Sequence, residues 1–281
     1  MSKVAAKSAV LSPQYTHLSQ IILWVGANAG GVGKTTLAVH VGYEMARRGF
    51  DVALLDLDTN GSISLFCGLE HDPKPEETTA AVLSENFSGN WPLVTPRWGK
   101  PKGVLQICQG GPVLSYIAED LMSQPRREFV LADRLKKYPL PHQLIILDCP
   151  AMLGMLTNAA LVASTYMLIP VQLTYKSVKG ASGLLSWRQA ICQKLKLNPA
   201  PKILGVIPTQ YDGTEAAQRT IVSDLPDQLG QLQIKCYDYI RYSSEFNNAI
   251  GRGMPLHVYR PGHSACQDFL PICNDLTNLL T

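Results

Sequence analysis

The sequence has no apolar run long enough to cross a membrane. The longest runs, such as LIILD and STYMLIPV, fall well short of the roughly 20 residues that a transmembrane helix needs. Residues 1–20 also lack the long apolar stretch of a signal peptide, so we expect a cytosolic protein. The net charge is only +3, and any nucleic-acid contact would therefore need a local basic patch. The 46% of apolar residues fits a soluble chain with a sizeable core.

The cysteines also lack a pattern. None of the seven belongs to a C-x-x-C pair or to a spacing typical of zinc. In an intracellular chain, such cysteines are expected to be reduced thiols and not a disulfide framework. Cys149, which directly follows Asp148, is best interpreted as a buried structural thiol.

Buried-strand patterns alternate with helical patterns along most of the chain. QIILWVGA leads into glycines, TTLAVHVGYEMARRGF has helical spacing that stops at Gly49, and DVALLDLDTNG is a second buried strand. Strand, helix and strand in this order require a parallel sheet with a right-handed crossover. We predict a flexible arm at 1–19 and one doubly wound, mostly parallel α/β domain at 20–281, with helices on both faces. Residues 68–128 yield only a short strand at GVLQIC.

The segment ANAGGVGKTT, residues 27–36, resembles a phosphate-binding loop whose first glycine is replaced by Asn28. It still follows a strand and opens a helix, so its glycines let backbone N–H groups converge on phosphate oxygens at a helix N-terminus. Lys34 would neutralise the β and γ phosphates, and the Thr35 hydroxyl would bind Mg²⁺. The residues expected around the phosphates are Gly30, Gly31, Val32, Gly33, Lys34, Thr35 and Thr36.

Aspartates follow two of the apolar strands. Asp56 and Asp58 end the second strand, and Asp148 ends LIIL. Ligands of open α/β sheets lie at these strand ends, so we expect the first two carboxylates to face the phosphates. One of them would hold a metal-bound water and the other would orient the attacking water. Asp148 is expected to reach Mg²⁺ through water.

Taken together, these motifs resemble the ParA/MinD family of dimeric partitioning and positioning ATPases. The resemblance runs in one order from about Ile21 to the C-terminus, through ANAGGVGKTT, LLDLDTNG, LIILDCP, LIPVQLTYKSVKG, GVIPTQYDGT and YIRYSSEFNNAIGRGMPL. It implies that ATP and Mg²⁺ are sandwiched in a homodimer. By resemblance, Asp58 positions the hydrolytic water, and Asp56 and Asp148 support the metal. The residues that would flank the adenine are Pro208, Thr209 and Tyr211.

The sequence departs from this family at Ala29, where the family has a signature lysine that crosses the dimer interface to the partner's phosphates. Three explanations remain open: another lysine takes over, the lysine was replaced by engineering to trap one nucleotide state, or hydrolysis is lost and the protein is a passive binder. Lys176 and Lys179 are the candidates for the first, because TYKSVKG follows a strand at the expected dimer face. We favour Lys176 as a catalytic residue. The McdA carboxysome-positioning members of the family resemble this chain in lacking the lysine.

The surface that such a dimer would use is indicated by the basic residues. The last predicted helix, SACQDFLPICNDLTNLLT, contains no lysine or arginine and is interrupted by Pro271, so a membrane anchor is not expected. ParA-like members bind nucleoid DNA non-specifically through surface cations. We name Arg219 and Arg241 first among the candidates, which are Arg188, Lys194, Lys196, Lys202, Arg219, Arg241 and Arg252.

The leading hypothesis is a slow ATPase whose ATP dimer binds nucleoid DNA and distributes a cargo, such as a plasmid, a chromosome or carboxysomes, when an adaptor protein stimulates hydrolysis. A metabolic ATP-dependent ligase on the same fold is the alternative. A redox protein with an iron–sulfur cluster at Cys149 is a third possibility.

Overall fold

A single parallel sheet forms the centre of the protein. The computed structural model describes residues 20–69 and 73–281, so the predicted arm at 1–19 lies outside the described residues. All neighbouring strands pair in parallel, in the order β3-β2-β4-β1-β5-β6. This confirms the predicted α/β class. The sheet, which was expected to be mostly parallel, is parallel between all of its neighbouring strands. The strands are β1 (Ile21–Val25), β2 (Val52–Asp56), β3 (Leu105–Cys108), β4 (Leu144–Asp148), β5 (Tyr166–Gln172) and β6 (Lys202–Thr209).

The helices cover both faces of the sheet. Because side chains of a strand alternate between faces, Leu54 of β2 and Ile146 of β4 belong to one core, and Leu55 and Leu147 belong to the other. The first core packs against α1 (Lys34–Arg48), α2 (Ser62–Cys67) and α11 (Leu270–Leu280). The second packs against α3 (Thr79–Leu83), α4 (Val113–Met122), α5 (Val130–Lys137), α6 (Met155–Ala163), α7 (Tyr175–Lys194) and α8 (Ala216–Gln231). Two short helices, α9 (Glu245–Ile250) and α10 (Leu256–Tyr259), precede the last one.

Strand order brings the sequence motifs to one edge of the sheet. β4 lies between β1 and β2, and its last residue Asp148 is paired in register with Val25 on one side and with Asp56 on the other. The glycine loop follows Val25, and Asp58 follows Asp56 by two residues. The carboxyl ends of these three strands therefore place the loop and the three aspartates together.

Two local expectations needed correction. The stretch 68–128 contains α3 and α4, which the sequence did not predict because both are short and are separated by proline- and glycine-rich segments. The predicted last helix is a 3₁₀ turn at Ser264–Phe269 followed by α11. Pro271 lies in the first turn of α11, where its missing N–H costs no hydrogen bond, so it helps to start that helix and does not interrupt it.

The cysteines confirm the prediction of free thiols. All seven are unpaired, Cys236 is half-buried and the other six are buried. Burial raises the pKa of every one of these thiols. Cys149 is fully buried. A cluster shared between subunits needs exposed ligands, so this arrangement speaks against the iron–sulfur hypothesis.

Within the described part of the chain, no helix combines the length and the apolar character needed to span a bilayer.

Candidate functional site

The glycine loop between β1 and α1 depends on backbone conformations that favour glycine. Gly31 has a φ of 71° and Gly33 a φ of 88°, both in the left-handed region. Gly33 is also the residue from which α1 begins, and it has no side chain to cap the first N–H groups of the helix. The loop therefore ends at an open helix N-terminus, which favours an anion.

Lys34 is folded back over this loop. Its side chain is 7% exposed, and its Nζ donates a hydrogen bond of 3.2 Å to the carbonyl oxygen of Ala29. A neutral carbonyl is a weak partner for a nearly buried ammonium group, whereas a phosphate oxygen carries the opposite charge. The position of Lys34 thus leaves it available to an anion held in the loop.

Thr35 and Asp148 form the clearest polar pair of the site. The Thr35 hydroxyl donates to Oδ2 of Asp148 at 2.7 Å, although the two residues are 113 positions apart. The other oxygen, Oδ1, is buried and has no hydrogen-bond partner among the described residues. Burial raises the pKa of Asp148, as does the charge of Asp58, while the Thr35 hydroxyl and the Lys34 charge lower it.

These donors fit a hard divalent cation. A hydroxyl and a carboxylate with one free buried oxygen are ligands that Mg²⁺ prefers. The ion would compensate the negative charge of Asp148, which is buried away from water. The unpartnered Oδ1 is the observation that favours a cation, because a buried charged oxygen without a partner is costly.

Asp56 is held differently from the sequence-based expectation that both aspartates face the phosphates. Its Oδ1 accepts from the N–H of Asp58 at 2.9 Å and its Oδ2 from the N–H of Ile63 at 3.2 Å. Both oxygens thus fix the turn after β2 and the start of α2. Burial and the neighbouring charge of Asp148 raise its pKa. Metal support by Asp56 stays a prediction, and its place beside Asp148 suits an indirect role.

Asp58 is 7% exposed and is oriented by its own turn. Its Oδ1 accepts from the backbone N–H of Asn60 at 3.0 Å and from the Asn60 side-chain amide at 2.9 Å. Its Oδ2 has no hydrogen bond within the described residues, so one oxygen is free to hold a water while the other fixes the rotamer. This geometry is compatible with the predicted positioning of a water.

A cavity of about 270 Å³ opens beside the loop. Of the three residues expected to flank the base, Thr209 lines this cavity, and its hydroxyl donates to the carbonyl oxygen of Val32 at 2.9 Å. Their contact with a base stays a prediction. Tyr211 is not among the lining residues and packs instead against Tyr239, with ring centroids 4.1 Å apart and the ring planes tilted by 43°. Pro208 is buried in β6. The cavity walls are Gly33, Thr36, Thr209, Gln210, Ile240, Arg241, Tyr242, Ser243, Phe246 and Asn247.

Most of these wall residues were missed by the sequence reasoning. Phe246 and Asn247 lie in α9, more than 200 positions after the loop, and no local motif connects them to it. The sequence signal for them is the segment YIRYSSEFNNAIGRGMPL, in which the family resemblance singles out no individual wall residue.

Ala29 lies against the start of α7. A narrow cleft between them is lined by Asn28, Ala29, Ser177 and Gly180 among others, and a Cβ at Gly180 would lie 3.9 Å from the Asn28 carbonyl oxygen. Lys176 is in the first turn of α7 and Lys179 in the next, and both are exposed. Neither has an ion pair with any described residue. The structure therefore brings both candidate lysines to the side of the loop on which Ala29 lies.

The two arginines named for DNA differ in their environment. Arg219 is exposed, and its Nη1 donates to the carbonyl oxygens of Gly213 and Thr214, which leaves its other N–H groups available. Arg241 makes a bidentate ion pair with Asp268, in which Nε lies 2.8 Å from Oδ2 and Nη2 lies 2.6 Å from Oδ1. It also lines the cavity. DNA contact stays a prediction for both residues, and the structure favours Arg219.

Comparison with known proteins supports this interpretation. The profile of a family described as an AAA domain matches residues 20–202. A curated relative, the chromosome partitioning protein ParA of Myxococcus xanthus, is 27% identical over 256 residues, which cover 91% of this chain and 87% of the relative.

Two solved structures share the fold. An ATP complex of a McdA variant from Cyanothece superposes with a TM-score of 0.78 at 20% identity, covering 92% of this chain and 96% of that one. Cobyrinic acid a,c-diamide synthase from Mycobacterium smegmatis, with an ATP analogue and magnesium, superposes with a TM-score of 0.74 at 24% identity, covering 92% and 95%.

Proposed function

Since the chain belongs to the ParA/MinD family of P-loop ATPases, we propose that it is an ATP-switched dimer that binds nucleoid DNA and distributes a cargo as it hydrolyses ATP. ATP binding and hydrolysis use the loop and the aspartates at one edge of the sheet. DNA binding, dimerisation and stimulation by an adaptor protein are the finer parts of the proposal.

The Thr35–Asp148 pair is the observation that carries the proposal. A hydroxyl at the helix start and a buried carboxylate with one free oxygen form a preorganised oxygen site beside a loop suited to phosphate. Magnesium bound there would neutralise charge on the phosphates. Lys34 would leave the Ala29 carbonyl for a phosphate oxygen.

Asp58 serves as the residue that orients the attacking water. Its rotamer is set by Asn60, and its second oxygen faces no competing donor among the described residues. We expect Asp58→Ala to bind ATP and to lose turnover, because positioning of the nucleophile is lost while the phosphate contacts remain. Normal turnover by this variant would refute the role.

In this proposal Lys176 takes the role of the family's signature lysine, whose position is occupied here by Ala29. It begins a helix that packs beside Asn28, it is exposed, and its long side chain can extend towards a second subunit. Lys179 is the alternative on the next turn.

The first experiment measures the molar mass by light scattering in ADP and in ATP with Mg²⁺. The chain and its Lys176→Ala and Lys179→Ala variants are compared with Lys194→Ala, which removes the same charge about 27 Å further along α7. We expect ATP to double the mass of the wild type and of Lys194→Ala but not of Lys176→Ala. Loss of the dimer in Lys179→Ala alone would assign the role to that lysine. A wild type that binds ATP and stays monomeric would overturn the switch.

Nucleoid binding follows from the ATP dimer. A dimer doubles each exposed cation, and non-specific DNA contact weakens as salt rises. Arg219→Ala should weaken binding of random double-stranded DNA in the presence of ATP and lower the salt dependence. Lys136→Ala, the same loss of charge on α5, is the control. Equal DNA binding by the two variants would show that Arg219 does not contribute to the DNA-binding surface of the protein.

A metabolic ATP-dependent ligase is the second candidate, because the synthase from Mycobacterium smegmatis has the same fold. ATPase activity stimulated by a small carboxylic acid would favour it, and stimulation by DNA would favour the partition-type function.

A further inference from the structure

Gln210, the residue directly after β6, has an unusual backbone. Its φ of 61° lies in the left-handed region, where residues other than glycine, asparagine and aspartate are disfavoured. Such conformations cost free energy, and they concentrate at helix ends and at functional sites.

The side chain of Gln210 makes the contacts that hold this conformation. Its amide Nε2 donates to the carbonyl oxygen of Gly31 in the glycine loop, 179 positions away. Its Oε1 accepts from Nε2 of Gln172 at the end of β5, at 3.0 Å. Because a backbone carbonyl only accepts, the Gly31 contact fixes which end of the Gln210 amide faces the loop.

The last residue of β6 and the residue that follows it thus form hydrogen bonds with two successive carbonyl groups of the loop. Thr209 holds the Val32 oxygen at 2.9 Å, and Gln210 holds the Gly31 oxygen. In a trans peptide the C=O and the N–H point in opposite directions. Fixing these two oxygens towards β6 therefore directs the N–H groups of Val32 and Gly33 to the opposite side of the loop.

We propose that Gln210 is a positioning residue for nucleotide binding: its strained backbone and its bond to Gly31 hold the loop N–H groups in the orientation that receives phosphate. The inference rests on the proposed nucleotide-binding function. Through Gln172, which lies two residues before the Thr174 cap of α7, the same contact ties the loop to the helix that carries Lys176.

Glycine substitution separates this role from ordinary structural support. Gln210→Gly removes the side chain but accepts the left-handed backbone without strain. Gln233→Gly is the matched control, because Gln233 has a φ of 56°, is exposed, and makes no side-chain hydrogen bond with any described residue. Both changes relieve similar strain, and only the first removes a contact to the loop.

The experiment records Tm, NMR order parameters of the backbone amides of residues 27–36 without nucleotide, and the Kd for MgATP. We expect an unchanged or higher Tm in both variants. Only Gln210→Gly should show lower order parameters at the Val32 and Gly33 amides and an affinity for MgATP weaker by about three- to tenfold, the range for one lost hydrogen bond.

Behaviour of Gln210→Gly that matches Gln233→Gly in order parameters and in affinity would overturn the inference. If the wild type itself does not bind MgATP, the proposed function fails, whereas the comparison of order parameters in the nucleotide-free protein still decides whether Gln210 orders the loop.

Discussion

Replacing Asp148 by asparagine should stabilise the nucleotide-free protein while impairing its function. The carboxylate is fully buried, one of its oxygens has no partner among the described residues, and it lies beside Asp56 in register. An asparagine keeps the shape, and its Oδ1 still accepts from the Thr35 hydroxyl. The change therefore removes a buried charge without opening a cavity.

The magnitude follows from the buried charge. Burial, more than any other cause, raises the pKa of Asp148 from 3.8 to about 7, so above pH 7 the charged form costs about 4 kcal/mol. The new NH₂ group, unpartnered in the place of Oδ1, costs about 1–3 kcal/mol in return, so Asp148→Asn should raise the free energy of unfolding at pH 8 by about 1–3 kcal/mol. For a chain of this size, this corresponds to a rise in Tm of roughly 2–8 °C. The same variant should lose Mg²⁺-dependent ATP binding, because a neutral amide is a poorer ligand than a carboxylate.

Asp56→Asn is the matched control with the opposite expected sign. Both Asp56 oxygens accept backbone N–H groups, so one of these donors would face the new NH₂ group. Relief of repulsion from Asp148 offsets part of this loss, and a net decrease of about 1 kcal/mol remains. Thermal unfolding in EDTA without nucleotide measures both variants. A Tm for Asp148→Asn at or below that of the wild type would refute the reasoning.

Two further predictions concern stability. Burial lowers the pKa of His40 from 6.5 to about 3. Below pH 6.5 the unfolded chain therefore binds a proton that the native state does not bind, and the free energy of unfolding decreases as the pH is lowered. The cost of His40→Gln should therefore shrink by about 2 kcal/mol between pH 8 and pH 5 in urea unfolding; an equal cost at both values would contradict this. Gly205→Ala should lose about 1–3 kcal/mol, because its Cβ would lie 2.5 Å from the ring of Tyr237. Gly230→Ala, whose Cβ meets nothing within 4 Å, should be neutral or stabilising in the same thermal assay.

The parts of the site that the sequence predicted are those with a local pattern. The glycine loop follows an apolar strand and opens a helix, and aspartates at the ends of neighbouring parallel strands lie at one edge of the sheet. The sequence therefore predicts that Thr35 and Asp148 lie close together, as they do. The hydrogen bonds of Asp56 were not predictable, because both directions of its carboxylate are equally compatible with a residue at a strand end.

The cavity walls and the Gln210 contact escaped prediction for another reason. Gln210 and Gly31 are 179 positions apart, and only the packing of β6 beside β5 brings them together. Neither glutamine chemistry nor spacing distinguishes Gln210 from any exposed glutamine. The short helices of residues 68–128 also owe their existence to the core against which they pack and not to their own periodicity.

The seven native thiols react only slowly with reagents that attack thiolates. Six are buried, and the half-buried Cys236 has a pKa of about 11, so very little thiolate is present at neutral pH. A single cysteine introduced at exposed Tyr116 or Met152 would therefore react with maleimide dyes ahead of the native ones. Energy transfer between labelled copies would then follow ATP-driven association and release in real time, without removal of any native residue from the core.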